Sequence, residues 1–153
     1  MPTETCEVCV VQVNFSYANG VAHVKWGASR GGYVRDVYFD QLTASGPLEK
    51  GILVDGHYSD ANPSCPAGWA PPQATTVSNL SFRRISATST TSISNASIKL
   101  AGHESLIVGA RFEDIQLPVG RSGAWECDNV TGTAVKGSVH PWPPCAMVMP
   151  ISI

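Results

Sequence analysis

The stretch HVKWGASRGGYVRDVYF, His23 to Phe39, holds Lys25, Arg30 and Arg35 and no acid before Asp36. Cations on both sides of a turn suit an anionic ligand: lysine supplies a point charge and arginine a planar fork of donors. Trp26, next to Lys25, adds a broad apolar face of the kind on which a sugar ring stacks. The Gly31–Gly32 pair permits backbone angles that bulkier residues resist and marks the turn itself. A plainer account also holds for the arginines, since Arg30 and Arg35 would keep an exposed turn soluble. A second group, Cys6 and Cys9, forms a Cys-X-X-Cys pair. No second such pair follows, and residues three apart on an extended strand point to opposite faces, so no metal site and no cofactor are expected.

The elements that must position these residues are short strands. The 153 residues suit one domain, 1–153. With 14% charged and 43% apolar residues, and runs of Thr, Ser, Val, Ile and Gly, the chain reads as β-structure without a helical stripe. A net charge of −2 gives no reason to expect nucleic acid or a membrane surface as partner. The start, MPTETCEVCV, lacks the basic and apolar regions of a signal peptide, and no apolar run is long enough to span a membrane. Five cysteines and the sequons at Asn14, Asn79, Asn95 and Asn129 nevertheless favour a secreted protein.

All four phenylalanines recur in one local pattern. Val10, Val34, Val77 or Ile107 lies five residues before Phe15, Phe39, Phe82 or Phe112; Val13, Val37, Leu80 or Ala110 lies two before; Ala18, Leu42, Ile85 or Ile115 lies three after. Each such segment is followed by a turn and a second short strand: VAHVKW, GILVDG, ASIKLAG and GAWECDNV. Strand, turn, strand, repeated in one register, predicts a right-handed single-stranded parallel β-helix of about four coils, with the four Phe rings stacked in its interior. A β-sandwich is the alternative, but it gives no reason for a shared phase. The Pro/Gly/Ala-rich stretch at about 59–74 reads as an inserted loop, and about 133–153 as a Pro-rich tail. In the strand FRRIS, Arg83 and Arg84 are expected on alternate faces, with one of them outward.

In order along the chain, HVKWGASRGGYVRDVYF, GILVDGHYSDANPS, VSNLSFRRISATS with RFEDIQL, and WECDNVTGTAVKGSVHPWPPC resemble glycoside hydrolase family 28, the polygalacturonases, over about Cys9 to Cys145. The resemblance implies a pectin-degrading glycosidase acting on galacturonan, an acidic polysaccharide, outside the cell or in the cell wall. It places Lys25 at the lysine of an Arg-Ile-Lys motif that contacts a galacturonate carboxylate, and Tyr58 at a substrate-contacting tyrosine. His23 stands where the family has arginine, which exchanges a permanent fork of donors for an imidazole. Arg30 joins the substrate-binding set through the local field. The carboxyl-terminal likeness also implies a disulfide between Cys127 and Cys145, which would pin a tail with little core of its own.

The family's hydrolysis is an inverting reaction run by aspartates from an Asn-Thr-Asp motif and an Asp-Asp pair, with a histidine from a Gly-His-Gly segment, all upstream of Arg-Ile-Lys. Before Lys25 this chain has Glu4 and Glu7 and no Asp. His57, in DGHYSD, lies downstream and lacks the Gly-His-Gly form. The expectation is the carboxyl-terminal part of a polygalacturonase-like helix, with one flank of the groove and no catalytic residue of its own. The alternative is a non-catalytic acidic-polysaccharide-binding or structural β-solenoid protein. A solenoid beginning at its first coil here would expose strand edges and self-associate through that coil.

Overall fold

The computed structural model describes residues 8–16, 18–27, 31–56, 75–88, 91–102, 105–134 and 138–142. Tyr58, Arg30, Cys145 and the segment 59–74 lie outside them. The long strands are β1 (Val8–Phe15), β3 (Tyr33–Ala44), β6 (Thr76–Ala87) and β9 (Ile107–Gln116). With β11 (Val130–Ala134) they form one sheet in the order β1-β3-β6-β9-β11, and β12 (Val139–His140) also pairs with β9. Short strands β2 (Ala22–Lys25), β5 (Ile52–Asp55), β8 (Ile98–Ala101) and β10 (Trp125–Asp128) form a second sheet, ordered β10-β8-β5-β2. A third pairs β4 (Pro47–Leu48) with β7 (Ser92–Ile93). Every pairing between these named strands is parallel, as a chain wound into a parallel β-helix requires.

The inward spacing of three, two and three residues has a backbone cause. β3 carries left-handed residues at Asp36 (φ 54) and Gln41 (φ 58), and β6 carries them at Asn79 (φ 55) and Arg84 (φ 50). β9 repeats the device at Gly109 (φ 73) and Asp114 (φ 56). Each left-handed residue breaks the two-residue alternation, so the next inward side chain comes three residues on. Val37, Phe39, Leu42 and Ala44 are buried on β3, as are Leu80, Phe82 and Ile85 on β6. Glycine, Asn and Asp tolerate this conformation best. Asn79 further donates from Nδ2 to Asp36 Oδ1 at 3.0 Å, linking the left-handed positions of neighbouring rungs.

Like stacks on like inside. Val34 lies over Val77, Val77 over Ile107, Leu42 over Ile85 and Ile85 over Ile115. The rings of Phe39, Phe82 and Phe112 stack with centroids 5.4 and 5.0 Å apart and interplanar angles of 2° and 12°. Trp125 closes this column edge-on against Phe112 at 5.2 Å.

Phe15 does not belong to that ladder, which corrects the expected shared phase. It pairs with Ala44, and Val10 takes the place over Phe39. The left-handed bends recur every five residues, as Asp36 and Gln41 show. A slip of five therefore leaves the inward pattern unchanged, and the first segment matches equally well in either phase. The alternation expected for Arg83 and Arg84 also fails. Arg84 is itself a left-handed bend, and both side chains are solvent-facing, at 43% and 46% exposure. Arg83 Nε meets Glu113 at 3.2 Å, and Arg84 grips the Asp40 carboxylate, donating from Nε to Oδ1 at 2.7 Å. That grip holds the Asp40 carboxyl below its ordinary range.

Gln41 tests the bend directly. Gln41→Gly is expected to be neutral or stabilising, whereas Gln41→Val is expected to cost about 1–3 kcal/mol in urea unfolding, because a β-branched residue resists the left-handed region.

Candidate functional site

β2 alternates without interruption: Ala22 and Val24 are buried, while His23 and Lys25 are exposed on the outer face of the second sheet. Two residues along a strand, they stand on the order of 7 Å apart. Trp26 continues the alternation inward, at 7% exposure, and its Nε1 lies 3.4 Å from Ser105 Oγ. Its ring is part of the core and cannot serve as a sugar platform, which corrects the role expected from its place beside Lys25.

The outer face extends across the rungs in two columns. One runs His23, Leu53, Lys99, Glu126; the other runs Lys25, Asp55, Ala101, Asp128. Leu53 and Ala101 stand in these columns yet are buried, at 3% and 4% exposure, so the accessible part of the face is formed by its polar and charged members. Lys99 Nζ pairs with Glu126 Oε2 at 3.0 Å. The face thus carries carboxylates beside its cations, which sequence reading from the single HVK segment missed. The signal was present in the repeated short strands: aligning HVK with LVD, KLA and ECD puts Asp55 and Asp128 in the column of Lys25.

His23 is pushed below the ordinary histidine pKa, first by burial and then by the charges of Lys25 and Lys50. Asp55 and Glu49 pull the other way with less effect. Near neutral pH the imidazole is therefore uncharged and offers one donor and one acceptor. The permanent charge beside it is that of Lys25.

The cations of the opening segment divide between faces. Arg35 sits on β3, in the other sheet, with its guanidinium 4.5 Å from the centroid of the exposed Tyr33 ring. It does not share the Lys25 face. Between them, Gly31 and Gly32 have φ of 67° and 86°, the left-handed angles expected for the turn. Arg30 and Tyr58, the other two residues expected at the site, lie outside the described residues.

Cys9 and Cys127 are both disulfide-bonded. They do not bond to each other: three rungs, on the order of 14 Å, separate β1 from the rung of β10, beyond the reach of a disulfide. The remaining cysteines, Cys6, Cys65 and Cys145, all lie outside the described residues. No group of three or more His, Cys, Asp or Glu able to hold a metal ion occurs among the described residues.

No curated protein and no solved structure gives a significant match to the chain. Residues 6–139 match the family Glycosyl hydrolases family 28. That span takes in all the described strands except the last residue of β12, the outer face with His23 and Lys25, and the stacked interior. With a parallel β-helix and a match across most of its length, the chain belongs to glycosyl hydrolases family 28.

Proposed function

We propose that this chain supplies one flank of a galacturonan-binding groove in a polygalacturonase-like glycosidase, on the outer face of β2, β5, β8 and β10. The observation that carries the reading is the placement of the exposed Lys25 and His23 side by side on that face. A sugar presents a rim of hydroxyls for the His23 imidazole to hydrogen-bond, and a uronate adds a carboxylate for Lys25 to meet. Tyr58 and Arg30 complete the proposed substrate set, and Cys127–Cys145 is the proposed tail disulfide. The acid and base of hydrolysis are assigned to no residue of this chain. The alternative, a non-catalytic binding or structural solenoid, shares the groove or lacks a ligand altogether, and binding separates the two forms. Disulfide bonding at Cys9 and Cys127 supports an oxidising, extracellular setting such as the cell wall.

The proposal also includes self-association through the first rung. β1 forms an edge of its sheet among the described strands, with Val8 and Val11 exposed at 52% and 54%. An apolar strand edge is a template for another chain. Sedimentation should show concentration-dependent oligomers that the double variant Val8→Lys, Val11→Lys reduces to monomer. A wild-type monomer at all concentrations would remove this part of the reading.

Lys25→Ala should weaken binding of galacturonate oligomers by about tenfold, the worth of one charge-assisted contact, and leave neutral glucans unaffected in calorimetric titration. Equal loss for both ligand types would refute the groove.

His23 adds a pH signature. A bound carboxylate favours the protonated imidazole, so affinity should rise as pH falls from neutral through the lowered pKa of His23, while the uronate remains ionised. His23→Gln should abolish that rise. His23→Arg should tighten binding at neutral pH by about two- to fivefold, the modest gain of an exposed charge pair, and make it independent of pH in this window.

A further inference from the structure

A second groove lies at another corner of the helix, where the β4–β7 pair meets the turns on either side. It encloses about 620 Å³ and is lined by Asn19, Pro47, Glu49, Ser92, Ser94 and Arg121 among others. The backbone sets these residues on successive rungs. Lys50 N donates to Asn19 O at 2.9 Å, Ser94 N to Leu48 O at 3.0 Å, and Arg121 N to Ile93 O at 3.0 Å. Asn19 and Arg121 therefore stand at opposite ends of the groove, three rungs or on the order of 14 Å apart.

The side chains divide by their commitments. Glu49 Oε1 accepts from Lys50 Nζ at 2.7 Å and from Asn95 Nδ2 at 3.3 Å, which leaves Oε2 outside both bonds. Ser94 Oγ shares its one proton between the backbone oxygens of Leu48 and Glu49, each at 3.4 Å, and keeps its own lone pairs. No ion pair engages Arg121 among the described residues, and its side chain is exposed. Pro47 and Ser92 face outward on the paired strands, one apolar and one a hydroxyl.

We propose that this corner is a second saccharide-binding site, separate from the Lys25 face, which takes an oligosaccharide carrying a uronic acid, with the acid's carboxylate on Arg121. A saccharide as ligand follows from the family's polysaccharide substrate; the location and the acidic unit follow from this groove and do not depend on the Lys25 reading. Pro47 meets the apolar face of a sugar ring, and Asn19, Ser92 and Ser94 meet hydroxyls. Glu49 Oε2 accepts from a hydroxyl and repels a carboxylate, so the charged unit lies at the far end, where the Arg121 fork receives it. The groove thereby imposes a direction on the bound chain.

The test is an amide-resolved NMR titration of the isotopically labelled full chain with a trisaccharide that carries one uronic acid, at one end, and with its carboxyl-reduced, neutral counterpart. Amides of Ser92, Ser94 and Arg121 should move with the acidic ligand. Arg121→Ala should weaken that response by about tenfold or more, the worth of a charged hydrogen bond, while amides around Lys25 respond as before. Lys25→Ala should do the reverse, so failure of one site is read separately from failure of the other. Arg121→Lys should restore part of the affinity. Ser92→Tyr, which fills the groove from an exposed position, should abolish the response without touching Arg121 and serves if Arg121→Ala fails to fold. Silent groove amides in the wild type, equal response to the neutral trisaccharide, or a response unchanged by both Arg121→Ala and Ser92→Tyr would overturn the proposal.

Discussion

Everything in this molecule depends on parallel strands held in register from rung to rung. Backbone bonds fix which residue lies above which, and a one-residue slip would turn every inward side chain outward. Register therefore sets two things at once: the Phe39, Phe82 and Phe112 stack inside, and the columns of charge outside. Core and surface are two sides of one constraint, because the same bonds that put Val54 between Val24 and Leu100 put Asp55 beside Lys25.

The left-handed residues make a helix of what would otherwise be a flat strip. A strand of twelve residues such as β3 cannot wrap a core unless it bends, and it bends at Asp36 and Gln41. Each bend carries a cost when the residue is not glycine, Asn or Asp. Arg84 occupies such a position and also holds Asp40 on the neighbouring rung. A glycine there would relax the backbone and lose that contact, which is a physical reason for a residue poorly suited to its φ.

Much of this was legible from the sequence, and the failures in the long strands share one cause. The interior positions −5, −2, 0 and +3 around each Phe announce the repeat, and Phe39, Phe82 and Phe112 obey it. The phase of the first segment was not legible, because bends five residues apart make the inward pattern repeat after five residues. Phe15 matches in sequence and stacks on Ala44 instead. Arg83 and Arg84 were misjudged because simple alternation ignores the bend at Arg84 itself. In the short strands, which have no bend, simple alternation holds: it sets His23 and Lys25 outward and, one residue further, would have put Trp26 in the core.

The acids of the outer face were hidden for a different reason. Asp55 and Asp128 stand far from Lys25 along the chain, and only the alignment of rungs brings them into its column. Their presence changes what the face can do. A uniformly cationic surface would hold any polyanion, whereas Lys25 beside Asp55, and Lys99 bound to Glu126, leave a surface of mixed sign. Such a surface discriminates by where a ligand carries its charge, since a misplaced carboxylate meets Asp55 or Glu126 in place of a cation. His23 sharpens that dependence, because burial first, and then the lysines that would help bind an anion, keep its imidazole neutral until an anion arrives.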